Sequence, residues 1–319
     1  MFLPDASIYN DDNIPEDTKA LNARIIALTE ASPSMWEFSA STIRQARREG
    51  KSIFPLEVQD PNAEDFYIPT ENGDLKLRAI QPEHKKPQGV FMHIHGGGWM
   101  LGTCDLQDER LKQMANDTGL TCISVDYRLA PEAPYPAACD DCEAAALWLA
   151  TEGHTKFNTD FLAIGGDSAG GHLSANALIR LRDKHKVTTY GAAIFMAGAF
   201  DMSGTPSTKN FHEKLVLTTL DIQNFASTFL QNNEDRLDPD VSPLYADLTD
   251  MPPAHFSVGT KDALIDDSIF MANKWIQSQA DTELDIYTGG CHVFQYFPDL
   301  AQSQESRKRM AEFLLRLIG

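Results

Sequence analysis

No apolar run in this chain is long enough to cross a bilayer. The longest, around Gly191 to Phe200, stops far short of the roughly 20 residues that a helical span requires. Cysteine is sparse as well: Cys104, Cys122, Cys139, Cys142 and Cys291 are odd in number and scattered, which fits reduced thiols and not a disulfide framework. Basic residues are outnumbered, with 27 Lys and Arg against 46 Asp and Glu and a net charge of −19. A surface this acidic repels phosphate backbones and anionic lipid, so nucleic acid and membrane are excluded as partners. There is no internal repeat and no low-complexity tract. Met1-Phe2-Leu3-Pro4-Asp5 lacks the basic region of a secretory leader, and a cytoplasmic protein is the expectation. What remains is an apolar fraction of 42% in 319 residues, enough for a substantial core. One large α/β domain with an added cap accounts for that length better than two average domains.

Along the chain, Asn13 precedes Pro15 and an apolar series, Leu21, Ile25 and Leu28, at helical spacing, which predicts a capped amphipathic helix. Ser34 with Glu37 three residues on reads as a capping box for a second helix, with Trp36 and Ile43 on its apolar side and Gly50 at its end. Both precede the first strand, so they are not crossover helices. Residues 1–60 are expected to form the first part of a cap, with a helix packed on the sheet edge as the alternative. Residues 61–319 are then the catalytic domain. Its opening hairpin is expected from Asp65 to Pro69 and Leu75 to Ile80, around Asn72-Gly73-Asp74. Short apolar runs follow at Val90 to His95, Thr121 to Asp126, Phe161 to Gly165, Ala192 to Met196, His255 to Val258 and Leu284 to Tyr287, mostly separated by helical segments. That alternation predicts a mostly parallel sheet flanked by helices. The interval between Met196 and His255 exceeds what one crossover helix needs, and residues 202–235 are expected to supply the second part of the cap.

Two glycine-rich motifs occupy strand ends. Gly166-Asp167-Ser168-Ala169-Gly170 lies between a strand and the helical segment Leu173 to Leu181. A serine on such a bend projects its hydroxyl above the sheet, and the amide of Ala169 at the helix start faces developing negative charge. His95-Gly96-Gly97-Gly98-Trp99 follows an earlier strand. Its side-chain-free backbone can turn the Gly97 and Gly98 amides towards an oxyanion. A phosphate-loop reading of these glycines fails, because neither Gly-Lys-Ser/Thr nor a spaced Gly-x-Gly-x-x-Gly appears. Nine histidines compete for the role of base, and His292 in Gly289-Gly290-Cys291-His292 is selected because it follows the last strand. Asp262, after Val258-Gly259-Thr260-Lys261, is the candidate for the acid that orients it, with Asp266 and Asp267 as competitors that would more naturally begin a helix. The order Ser168, Asp262, His292 is that of α/β-hydrolases. His93 and His95 resemble metal ligands but have no carboxylate-rich partner motif, so no metal is assigned. His172 reads as a packing or hydrogen-bonding residue, and Cys139 with Cys142 as helix packing and not a redox pair.

With His95-Gly-Gly-Gly-Trp99, Asp126-Tyr-Arg-Leu-Ala-Pro-Glu132, Gly166-Asp-Ser-Ala-Gly170, Ser242-Pro-Leu-Tyr245 and Gly259-x-x-Asp262-x-Leu264-x-Asp266 in this order before His292, the chain resembles the hormone-sensitive-lipase-like family of α/β-hydrolase esterases over nearly its whole length. The resemblance implies a serine carboxylesterase acting on short- to medium-chain acyl esters, with a helical cap and no cofactor. A homodimer is one assembly compatible with this reading. Asp167, Val293 and Phe294 are candidate residues of the substrate pocket, Trp99 either lines the acyl pocket or packs under the cap, and Asp126-Tyr127-Arg128 is structural support, with Arg128 tying loops through carboxylates. One departure stands out. Such esterases usually place glycine after the histidine, where this chain has Val293, a β-branched residue that cannot copy glycine's backbone angles cheaply. Amide or carbamate hydrolysis on the same groups, and a non-catalytic ligand-binding module of the same fold, are the alternatives.

Overall fold

The computed structural model describes residues 5–56 and 58–318. Met1 to Pro4, on which the reading of the leader rests, lie outside the described residues. Ahead of the sheet come α1 (Glu16–Ala31) and α2 (Ala40–Arg48). Then follow β1 (Glu64–Thr70), β2 (Gly73–Ile80), β3 (Gly89–Ile94), α3 (Asp108–Thr118), β4 (Leu120–Val125), α4 (Ala137–Trp148), the short α5 (His154–Phe157), β5 (Leu162–Asp167), α6 (Ala169–Arg180) and β6 (Ala192–Met196). Between β6 and β7 (Ala254–Lys261) lie α7 (Pro206–Asn210) and α8 (Thr219–Phe229), and the chain ends with α9 (Ile265–Gln277), β8 (Thr282–Cys291) and α10 (Ala301–Ile318).

The eight strands form one sheet in the order β1-β2-β4-β3-β5-β6-β7-β8. β1 pairs with β2, and β2 with β4, antiparallel; the remaining pairs are parallel. This is an α/β-hydrolase architecture. Strands β3 to β6 are buried throughout, as a parallel sheet covered on both faces demands. Alternation along β3 sends Val90, Met92 and Ile94 into the larger core, with α4, α6 and α9, and Phe91 into a second core under Leu111 of α3 and Met310, Phe313 and Leu314 of α10.

Two helix starts differ from the sequence expectation. Asn13 closes a short 3-10 turn, and α1 begins after Pro15 with no side-chain cap. The Ser34–Glu37 capping box does form, but it closes a 3-10 turn over Met35–Glu37. The cap of α2 is Ser39, whose hydroxyl accepts from Thr42 N–H at 3.2 Å. A box satisfies donors at the start of any helical turn, and here the turn is not continued.

These first helices are tied to the carboxyl ends of the strands. Asn22 of α1 donates to the Gly289 carbonyl at 2.8 Å, near the end of β8. Arg44 of α2 donates to the carbonyls of Met100 and Ala130, both at 2.7 Å, and grips Glu132 with two bonds of 2.8 and 2.9 Å. Arg128 behaves as read from sequence: its guanidinium chelates Asp141 and reaches the Ala137 carbonyl. Cys139 and Cys142 are buried within α4.

Candidate active site

Ser168 joins β5 to α6 at φ 55°, ψ −119°, a conformation that costs about 1–3 kcal/mol for a non-glycine residue and persists only where its surroundings over-determine it. They do so here. The Ser168 amide donates to the Met196 carbonyl at 2.9 Å, and its carbonyl accepts from His172 and Ala199 amides. Gly166 and Gly170 let the bend press against β3, since a Cβ at either would run into the Ile94 carbonyl. Ser168 thereby sits between the end of β5 and the first residue of α6, at the N-cap position.

The Gly96–Gly98 turn leaves the neighbouring strand β3. Gly97 and Gly98 have φ of +123° and +60°, values open to glycine at little cost. The Gly97 carbonyl is used by the amides of Met100 and Leu101, whereas the amides of Gly97, Gly98 and Ala169 donate to no described residue. Unspent donors at a helix start and a glycine turn are what a developing oxyanion requires.

Asp262 and His292 emerge from the adjacent strands β7 and β8. A Cβ at Gly259 would collide with the Gly290 backbone, and the register shifts between Gly259 and Lys261. This bulged, close approach brings the two strand ends together. His292 Nδ1–H then lies 2.9 and 3.0 Å from the two Asp262 carboxylate oxygens, with both side chains buried. That bond fixes the tautomer leaving Nε2 as the free base. The Ser168 hydroxyl forms no hydrogen bond to His292 or to any other described residue. The competing carboxylates are spent elsewhere. Asp266 accepts from Ser207 N–H at 2.8 Å. Asp267 accepts from the amides of Phe200 and Asp201 and from the Thr205 hydroxyl, and burial pushes its pKa up to about 7.

The four candidate pocket residues Trp99, Asp167, Val293 and Phe294 are all buried. Asp167 is buried and accepts from Gly96 N–H at 3.0 Å, His93 Nε2–H at 3.2 Å and the Tyr296 hydroxyl at 2.6 Å. Burial works to raise its pKa, but the His93 hydrogen bond and charge, with Arg110 and Tyr296, overcome it and hold the carboxyl well below its usual range. Trp99, at φ 57°, stacks on Phe229 with centroids 4.8 Å apart and donates to His172 Nδ1 at 3.1 Å. His172 in turn donates from Nε2 to the Val241 carbonyl at 3.0 Å. Burial pushes its pKa down to about 4, so it stays neutral. His95 is likewise pushed down to about 4 by burial and bonds the Gly96 carbonyl.

Val293 occupies the left-handed region, φ 47°, ψ 43°, with its side chain buried. The chain thus keeps the turn that glycine favours, with valine in it. Phe294 is buried against Tyr287, centroids 4.9 Å apart. Sequence reasoning passed over Tyr296 and treated His93 only as a possible metal ligand. Its spacing from His95 was visible, whereas nothing local marks Tyr296.

Strand order, a strained serine at the β5 end, and an acid and imidazole paired at the ends of the parallel strands β7 and β8 define an α/β-hydrolase. Comparison with known proteins agrees. Residues 91–296 match the model of a family described as alpha/beta hydrolase fold. The chain is 31% identical over 234 residues, 72% of each protein, to a Salmonella paratyphi A protein named acetyl esterase. Among solved structures, a hyperthermophilic esterase from the archaeon Pyrobaculum calidifontis superposes with a TM-score of 0.86 at 27% identity, covering 96% of this chain and 99% of that one. A thermophilic carboxylesterase cloned from a metagenomic library gives 0.81 at 26%, covering 90% and 100%. The chain belongs to the hormone-sensitive-lipase-like family of α/β-hydrolase esterases, and is a carboxylic ester hydrolase of the serine-hydrolase class.

Proposed function

We infer that Ser168, Asp262 and His292 are the catalytic triad, that the amides of Gly97, Gly98 and Ala169 form the oxyanion hole, and that the preferred substrates are short-chain esters such as acetyl esters. The observation that carries this is the buried Asp262–His292 pair, bonded at 2.9 Å through Nδ1, at the carboxyl edge of the same sheet whose β5 ends in the Ser168 bend. In the first step His292 Nε2 takes the Ser168 proton as Oγ attacks the ester carbonyl. The tetrahedral oxyanion is met by the three amides. Each such donor contributes about 3–4 kcal/mol of transition-state stabilisation in comparable enzymes. The imidazolium, steadied by Asp262, then protonates the departing alcohol. Water activated by His292 hydrolyses the acyl-enzyme and restores Ser168.

Residues 1–60 and 202–235 serve on this reading as a two-part cap. Its support is the anchoring of Arg44 on the loop after Gly98 and the stacking of Phe229 on Trp99. The five cysteines are all unpaired and buried, which suits a reducing cytoplasm, and among the described residues no helix is long and apolar enough to cross a membrane.

Hydrolysis of chromogenic esters from acetyl to palmitoyl by the wild type and by Ser168→Ala tests the assignment. We expect short acyl chains to be preferred, the variant to lose at least about a thousandfold in kcat, and the wild-type rate to fall as acid protonates the imidazole. An active Ser168→Ala, or a rate unchanged far into the acid range, would overturn it.

A further inference from the structure

The two segments outside the sheet meet at one aromatic ring. Phe225 of α8 covers Gly98 so closely that a Cβ there would run into the ring atoms. Trp36 holds Phe225 edge-on, with centroids 4.9 Å apart at 74°. The indole N–H of Trp36 donates to Asp221 Oδ1 at 2.8 Å. The other oxygen of that carboxylate closes the α8 capping box, accepting from the Thr218 amide at 2.9 Å and its hydroxyl at 2.6 Å. One carboxylate therefore clamps the N-terminal segment to the start of α8, a single helical turn before Phe225. Phe225 itself is only half-buried.

Sheet order decides which part of an ester meets this ring. β3, carrying Gly97 and Gly98, lies on one side of β5, and β7 and β8, carrying Asp262 and His292, lie on the other. The leaving alcohol must come within hydrogen-bond reach of His292, which protonates it, so the alcohol is drawn to the β8 side. On the acyl-transfer reading the oxyanion meets the Gly97 and Gly98 amides and the alcohol faces His292, which leaves the acyl chain the space next to Gly98 that α8 covers. We propose that Phe225, held by the Trp36–Asp221 clamp, is the residue that limits acyl-chain length. The substrates are then esters of short acids whose alcohols are far less restricted. This rests on the acyl-transfer reading of Ser168 and His292 and deepens it.

The test uses the full chain and two ester series: acyl chains from acetyl to decanoyl on one chromogenic alcohol, and acetyl esters of ethanol to octanol followed by proton release. In Phe225→Ala the decanoyl-to-acetyl ratio of kcat/KM rises about tenfold or more, the scale of a pocket gaining room for methylenes. Phe225→Leu moves it less, and Trp36→Phe, which keeps a ring but loses the bond to Asp221, moves it in the same direction. The alcohol series keeps its wild-type profile. An acyl ratio unchanged in both Phe225 variants, or a shift confined to the alcohol series, overturns the proposal. Wild-type turnover of acetyl esters, lost in Ser168→Ala, separates the two levels: without it the acyl-transfer reading fails, and with it an unmoved ratio sinks only the role of Phe225.

Discussion

At the scale of single residues, Asp167 is the point where the parts of the site are joined. It precedes Ser168 in the chain, holds the Gly96 amide at the root of the Gly96–Gly98 turn, and receives Tyr296 from the turn that follows His292. Three loops from distant stretches of sequence share one buried carboxylate. Tyr296→Phe keeps the ring beside Phe54, now 5.1 Å away, and deletes only the hydroxyl. A hydrogen bond to a charged group contributes about 1.5–3 kcal/mol, so we expect a stability loss of that order by urea denaturation and a fall in kcat larger than any rise in KM. Unchanged kcat would show that the His292 turn holds itself. Val293 balances two terms of similar size. Its left-handed backbone costs about 1–2 kcal/mol, and burying its side chain returns about 1.5–3 kcal/mol, which explains how valine stands in a left-handed turn. The strand-end positions of the candidates Ser168, Asp262 and His292 were legible because each follows an apolar run that ends in a recognisable turn. Tyr296 was not, because its partner Asp167 lies 129 positions away and no local pattern encodes such a bond.

At the scale of elements, the strands were the most legible features. Runs buried on both faces are apolar at nearly every position, as β3 to β6 are, and each of the eight strands overlaps a segment expected from the sequence. Helix starts were less so, as Asn13 and the Ser34–Glu37 box illustrate: a cap motif reports a turn, and tertiary packing decides whether a helix continues from it. The β7–β8 pair deserves a direct test, because the approach of Gly259 to Gly290 is what sets Asp262 against His292. Gly259→Ala inserts a methyl where backbone already stands. Overpacking of this kind costs about 1–3 kcal/mol. We expect that loss in denaturation experiments, together with a drop in kcat at temperatures well below unfolding. Full activity with normal stability would mean that the strands separate without moving the pair.

At the scale of the whole molecule, two buried aspartates give the stability opposite pH dependences. Asp167 has its pKa lowered in the folded state, so its contribution is present above the unfolded value and disappears as pH falls through the acid range. Asp267 is raised from 3.8 to about 7. Between these values the unfolded chain has released a proton that the folded one retains, so its contribution is full at low pH and is lost as pH rises from about 4 to about 7. Asp267→Asn mimics the protonated form and still offers its oxygen to the Phe200 and Asp201 amides. Its stability relative to wild type should therefore climb across that window and level off above it; a difference independent of pH in urea titrations would refute the shift. Sequence alone determined the sheet, the order of its strands along the chain and the identity of the residues at their ends, because periodicity, glycine turns and strand-end motifs are local and each is set by its neighbours. Tertiary structure decided that Asp262 and not Asp267 meets His292, that Asp167 and Trp99 face inward, and that Phe225 covers Gly98. Those outcomes depend on which strands lie side by side and how closely their backbones approach, and such contacts between distant segments leave no local trace in the chain.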